Sequence, residues 1–317
     1  MRKKRRRKII MMTIAAVLLA TTVYAAPIIM QMINTKNKIT EDLNRDKSPL
    51  RSDLVSVKRE DPVSILLLGV DKEDGVSRSD TMILVTINPK SQDMKMLSIP
   101  RDMRVKIPER EGYHKINAAF AFGEADLAVR TVEQEFNVPI DYYAEVNFDA
   151  FVGIVDALGG VSVDNKFAFS QSGHSFSEGH NMLNGKQALA YVRMRKHDLR
   201  GDYGRQERQQ EVIQQLIPKA VSFQSLKNIN EILDSIGDNV KMNFSTMEMW
   251  SLKQDYAEAA KNVESIQVEP NSRRIHGIVY ELVLYEEKLE ISKVLRSHLE
   301  LSGEPNIEND DYGVQFY

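Results

Sequence analysis

The feature that most restricts this chain is a run of 25 residues without a charge, Ile9 to Ile33 ("IIMMTIAAVLLATTVYAAPIIMQMI"), directly after the basic stretch "RKKRRRK" of Arg2 to Lys8. A helix of roughly 20 apolar residues spans the hydrocarbon core of a bilayer. Positive charge on the N-terminal flank keeps that flank in the cytoplasm. The sequence therefore predicts a cytoplasmic stub over 1–8, a single-pass membrane anchor over 9–33, and an extracellular remainder from residue 34. A cleaved leader competes, because "VYA" before Ala26 resembles a small-residue cleavage site. Leader cores run only about 7 to 15 residues, whereas apolarity here continues past Pro27, which favours a retained anchor.

Charge then excludes a class of partner. Seven of the 42 Lys and Arg residues lie in the stub, so the rest of the chain carries 35 basic against 45 acidic residues, a net of −10. General nucleic-acid binding rests on a basic face that neutralises several phosphates, so no nucleic-acid partner is expected. The chain has no cysteine, which removes disulfides, thiolate metal sites and a cysteine nucleophile. Its six histidines (114, 174, 180, 197, 276 and 298) show no zinc-ligand spacing.

Residues 34–61 are polar and weakly periodic, and read as a stalk. From Pro62 the texture changes to short apolar runs bounded by turn residues, "VSILLLGV" (63–70), "TMILVTIN" (81–88) and "MKMLSIP" (94–100), which predict buried strands. Helical stripes and strands then alternate: a helix over 124–136, a strand over 141–148, and a helix over 149–158 capped by Asp149 and stopped by Gly159-Gly160. Helices over 183–192 and 202–221, a strand over 263–269 and a helix over 286–301 complete an α/β domain over 62–301, and 302–317 reads as a disordered acidic tail.

Two groups of charged residues carry chemistry. An up-down-up meander of the first three strands brings Asp71, Arg78, Asp80 and Arg101 to one rim. Two carboxylates suit a hard divalent ion such as Mg2+ when substrate phosphates complete its shell, while a hairpin with solvated acids and arginine partners is the plainer account. The second group is "AYVRMRKHDLRGDYGRQERQQ" (190–210), with five arginines. It reads as a solvated helix face, a nucleic-acid patch or a phosphate site. Arg193 and Arg195, two apart, point the same way if the chain there is extended. Asp202, Arg205 and Gln209 share one face at a helix N-terminus, where free N–H groups favour an anion, and Arg200 and Arg208 are expected to face solvent.

"LLLGVDKEDGVSRSDTMILVTIN", "MLSIPRDMRVKIP", "KINAAFAFG" and "LNGKQALAYVRMRKHDLRGDYGRQERQQEVI" resemble, in order and spacing, the LytR-CpsA-Psr family over roughly Pro62 to Leu301. The resemblance implies a mixed central sheet with helices on both faces and an apolar tunnel for a lipid. It implies an extracytoplasmic phosphotransferase that moves an anionic glycopolymer, wall teichoic acid in the branch it is most similar to, from a polyprenyl diphosphate carrier to a peptidoglycan hydroxyl. By motif, Asp71 and Asp80 would hold Mg2+ (or Mn2+), and Arg78, Arg101, Arg193, Arg195 and Arg205 would bind the diphosphate. Asp202 and Gln209 would orient arginines. Apart from the motif match, the acceptor hydroxyl needs a base, for which an aspartate at the rim, Asp102 or Asp71, is the candidate. A polyprenyl diphosphate hydrolase using the same residues, a membrane-bound transcriptional attenuator and a non-catalytic lipid-phosphate binder are the competing functions. The chain departs from the family pattern in the charged "IPEREGYHK" and at Gly123-Glu124, where Gly-Gly is common.

Overall fold

The computed structural model describes residues 40–73, 76–222, 237, 239–269 and 271–309. The stub, the anchor, the first part of the stalk and residues 310–317 of the tail lie outside the described residues. Among the described residues no helix is long and apolar enough to cross a membrane.

The expected meander forms from β1 (Val63–Glu73), β2 (Val76–Asn88) and β3 (Asp93–Ile99), all antiparallel neighbours. Two short strands, β4 (Arg104–Lys106) and β5 (Tyr113–Lys115), lead into helix α1 (Ala118–Phe136), strand β6 (Tyr142–Asn147) and helix α2 (Phe148–Ala157). A small antiparallel layer follows, with β7 (Val161–Asn165), β8 (Phe169–Gln171), β9 (His174–Phe176) and β10 (Gly179–Leu183). Helices α3 (Gly185–Arg193) and α4 (Asp202–Ser222) precede β11 (Val240–Met242), α5 (Thr246–Asp255) and β12 (Val263–Ile266). The hairpin β13 (Asn271–Ile275) and β14 (Ile278–Leu282) and helix α6 (Tyr285–His298) close the chain of elements.

The main sheet has the order β11-β6-β1-β2-β3-β12 and is mixed, with β6 parallel to β1 and β12 parallel to β3. Side chains alternate across a strand, so each apolar strand feeds two cores. Leu66, Leu68 and Val70 pack on one face with Ala128 and Val132 of α1 and Leu295 of α6. Val63, Ile65 and Leu67 pack on the other with Ile213 and Ile217 of α4 and Leu252 of α5. Helices on both faces of a mixed sheet are what the resemblance implies.

Several expectations need correction. The β1–β2 hairpin is longer than its apolar runs, because the ladder continues through Asp71↔Arg78 to Glu73↔Val76, so these charged residues sit on strands and not in a loop. Helix α2 is capped by Asn147, whose Oδ1 accepts from the Ala150 amide at 2.9 Å, while Asp149 lies inside the first turn. The stalk, from Thr40 onward, is laid on the domain: Leu43 joins the core, Arg45 Nη2 donates to Glu133 at 2.9 Å and Arg51 Nε to Asp141 at 3.0 Å. The tail is likewise tied to the domain near its described end, where Ile307 is buried and the Asn306 amide donates to Asn137 at 3.0 Å, while most of residues 302–309 are exposed.

Helix α1 breaks at Gly123-Glu124, where Glu124 takes φ 51° and ψ −148°. Only glycine adopts that region without strain, and a non-glycine residue there costs about 1–3 kcal/mol. Glu124→Gly is expected to raise stability by about 1 kcal/mol after the added chain entropy of glycine, measured by denaturant unfolding.

The segment between α3 and α4 is locked by one ion pair. Asp198, 7% exposed, accepts from Arg208 Nη1 at 2.7 Å, and Arg208 Nη2 donates to the Met194 carbonyl at 2.6 Å. Arg208 is thus a buried clamp and not a solvated residue. Glycine at 204 is required, since a Cβ there would lie 1.8 Å from the Asp198 carboxylate. Burial pushes the Asp198 carboxyl up, but Arg208, the Arg200 amide and the Arg200 guanidinium hold it below the usual carboxylate range. Asp198→Ala would strand a buried guanidinium and is expected to cost about 3 kcal/mol, read from the shift in unfolding midpoint.

Candidate functional site

The site lies at the rim where β1 and β2 are kinked and β3 ends. Gly69 stands opposite Thr81 but Val70 opposite Ser79, so Asp80 is an extra residue on β2, a bulge that turns its side chain out of the ladder. A Cβ at Gly69 would lie 2.9 Å from Thr81 Cβ, so the close approach at the bulge needs glycine. The turned Asp80 accepts from Arg101 Nη1 at 2.8 Å, joining β2 to the residue just past β3. Arg101 Nε lies 3.8 Å from Asp102, whose other oxygen is 2.7 Å from Lys115 Nζ at the end of β5.

Helix α4 brings the second half. Its first residue, Asp202, sits with Oδ1 2.7 Å from Arg205 Nη2, an ion pair whose angle falls short of a hydrogen bond. Gln206 Nε2 donates to Asp202 Oδ2 at 3.3 Å, and Arg195 Nε approaches Asp202 to 3.9 Å. The two halves meet electrostatically. Burial pushes the Arg101 guanidinium down, but Asp80, Asp202 and Asp102 hold it above its ordinary value. Arg205 moves the other way: burial lowers it, Asp202 and Asp80 oppose, and the like charges of Arg101 and Arg195 lower it further. These crowded guanidinium groups, with the buried Nε atoms of Arg101 and Arg205 lacking hydrogen-bond partners among the described residues, are chemically suited to an oxyanion.

The sequence-predicted residues are therefore only partly gathered. Asp80, Arg101, Asp102, Arg195, Asp202 and Arg205 come together. Asp71 and Arg78 face each other across the ladder beside the bulge, with Arg78 exposed. Arg193 ends α3 exposed, stacked 4.5 Å over the Phe148 ring, and the chain turns extended at Met194. Gln209 is half-buried one turn beyond Arg205, and no described hydrogen bond ties it to an arginine. Among the described residues no three acids or histidines group as a metal cage, so Asp71 and Asp80 could hold a divalent ion only with a ligand completing its shell.

Sequence reading missed two residues. Lys115 is in a recognised motif but ends a charged run, "EREGYHK", without periodicity. Glu281 lies on β14, whose amide donates to the Asp102 carbonyl at 2.9 Å, and nothing local in "IVYEL" marks it.

Comparison with known proteins bears on this geometry. The LytR_cpsA_psr family model matches residues 27–297. The polyisoprenyl-teichoic acid–peptidoglycan teichoic acid transferase TagU of Halalkalibacterium halodurans is 44% identical over 283 residues, covering 88% of this chain and 93% of the relative. The crystal structure of B. subtilis TagU aligns with a TM-score of 0.63 at 39% identity, covering 77% of this chain and all of that one (100%). TagT bound to LIIa-WTA aligns with a TM-score of 0.72 at 36% identity, covering 82% and 100%. With a shared fold, ordered motifs and matching length, this chain belongs to the LytR-CpsA-Psr family.

Proposed function

We propose that the chain is a transferase that moves wall teichoic acid from a polyprenyl diphosphate carrier to a peptidoglycan hydroxyl, leaving a phosphodiester link. The observation that carries this is the convergence of Arg101, Arg205 and Arg195 from three parts of the chain, with the buried Nε atoms of Arg101 and Arg205 unsatisfied among the described residues. Similarity to teichoic acid transferases over nearly the whole length supports the substrate class.

Phosphoryl transfer asks for positioning and for neutralisation of charge on the transferring group, with no covalent nucleophile. Arg101 and Arg205 bind diphosphate oxygens in this reading, and Arg78, Arg193 and Arg195 close on them from the exposed side. Asp80 and Asp202 hold Arg101 and Arg205 in place before the ligand arrives, and Gln209 borders the same face of α4. Asp71 and Asp80 are the residues that would hold Mg2+ or Mn2+, and such an ion would supply further charge neutralisation there. Residues 9–33 anchor the enzyme as a single membrane span with the catalytic domain outside, where both carrier and peptidoglycan are met.

With full-length protein in detergent, polyprenyl-diphosphate-linked teichoic acid and peptidoglycan oligomers, a linked product is expected. Arg101→Ala should lower the transfer rate about 10²- to 10³-fold, as loss of one fixed charge donor does; undiminished transfer overturns the assignment. Free polymer without linked product would identify a hydrolase. Chelation is expected to stop transfer and added Mg2+ to restore it, and Asp80→Asn should raise the Mg2+ concentration needed for half-maximal rate.

A further inference from the structure

The acceptor hydroxyl needs a base, and the carboxylates around the site are not equivalent. Asp80 is bonded to Arg101, Asp102 is paired with Lys115, and Asp202 with Arg205. Asp71, opposite Arg78 on the ladder, is one of the two carboxylates assigned above to a divalent ion. Glu281 differs from all of these: its side chain bonds only to a neutral group, Ser272 Oγ, which lies 2.7 and 2.9 Å from its two oxygens, and no described ion pair reaches it.

The β13–β14 hairpin explains the position. Ser272 pairs with Glu281 and Arg274 with Val279, so these four share one face, while Tyr280, Leu282 and Ile275 turn to the other and pack with Tyr113. The Glu281 amide binds the Asp102 carbonyl, and Met103 bridges the same residue, which fixes the strand against the segment carrying Arg101 and Asp102. The Glu281 carboxylate thereby stands within electrostatic reach of Lys115 and of Asp102 and Asp202, the carboxylates beside Arg101 and Arg205.

We propose that Glu281 is the general base for the transfer, a role that rests on the transferase reading above. The acceptor oxygen forms a bond to the polymer-side phosphorus while its proton passes to a Glu281 oxygen. The bond from that phosphorus to the bridging oxygen breaks, and polyprenyl monophosphate leaves with its charge held by Arg101 and Arg205. Glu281 then returns the proton to solvent.

The environment suits the task. Burial raises the Glu281 carboxyl above its ordinary value, the Ser272 bond opposes, Asp102 and Asp202 raise it again, and Lys115 opposes. A base with a raised pKa accepts a proton more readily near neutral pH. Because the base must start ionised, the wild-type rate should fall as pH drops through a value above the usual carboxylate range.

The test uses full-length protein with the donor and acceptor named above. Glu281→Gln, isosteric with the native residue, is expected to lower kcat about 100-fold or more. It should leave donor affinity within twofold, keep the melting temperature and abolish the acid limb of the pH profile. Ser272→Ala removes a bond that favours the ionised form, so the acid limb should move to higher pH. If Glu281→Gln keeps kcat within threefold, or keeps the acid limb, the base role is overturned; if it loses donor affinity and not kcat, Glu281 binds substrate instead. A wild type that links no polymer while binding the donor brings down the transferase reading, and the base role with it.

Discussion

The Asp80–Arg101 ion pair is the join on which the rim depends. It links a bulge in the middle of the β1–β2 ladder to the end of β3, 21 residues later in the chain, and so converts three strands into one edge of the candidate site. A regular ladder would alternate Asp80 into a position set by its neighbours; the extra residue frees its carboxylate to reach sideways. Arg101, held there, is then close enough to Asp202 for the N-terminus of α4 to complete the arrangement.

The charge distribution makes sense only locally. Beyond the stub the chain is net acidic, yet guanidinium groups accumulate at one rim, where Asp80 balances Arg101 and Asp202 balances Arg205. Such pairing keeps the fold tolerable without a ligand, because an unpaired buried cation is costly. It also leaves, among the described residues, unsatisfied donors suited to an oxyanion; burial first and then the like charges of Arg101 and Arg195 lower Arg205, and an anion would relieve that repulsion.

Termini are used as structure. Arg45 and Arg51 tie the segment after the expected anchor to Glu133 and Asp141, and Ile307 seals the other end. The catalytic domain therefore begins well before its first strand. Polar texture concealed this, since one Leu43 and two bidentate arginines suffice to dock a segment without apolar periodicity.

The sequence by itself determined the α/β class, the three-strand meander, the amphipathic helices and the two arginine-bearing motifs, because alternation, helical stripes and turn residues are local patterns. The meander already placed Asp80 and Arg101 at one rim, but only the tertiary structure decided which charges pair there. Asp80 reaches Arg101 through a bulge that no alternation announces, and Arg208 turns inward because Gly204 leaves room for Asp198. Glu281 stands at the rim because a hairpin 180 residues beyond Arg101 docks by backbone hydrogen bonds. Backbone pairing between distant segments is carried by groups every residue shares, so side-chain pattern does not encode it, and the placement of a single carboxylate there follows only from the folded chain.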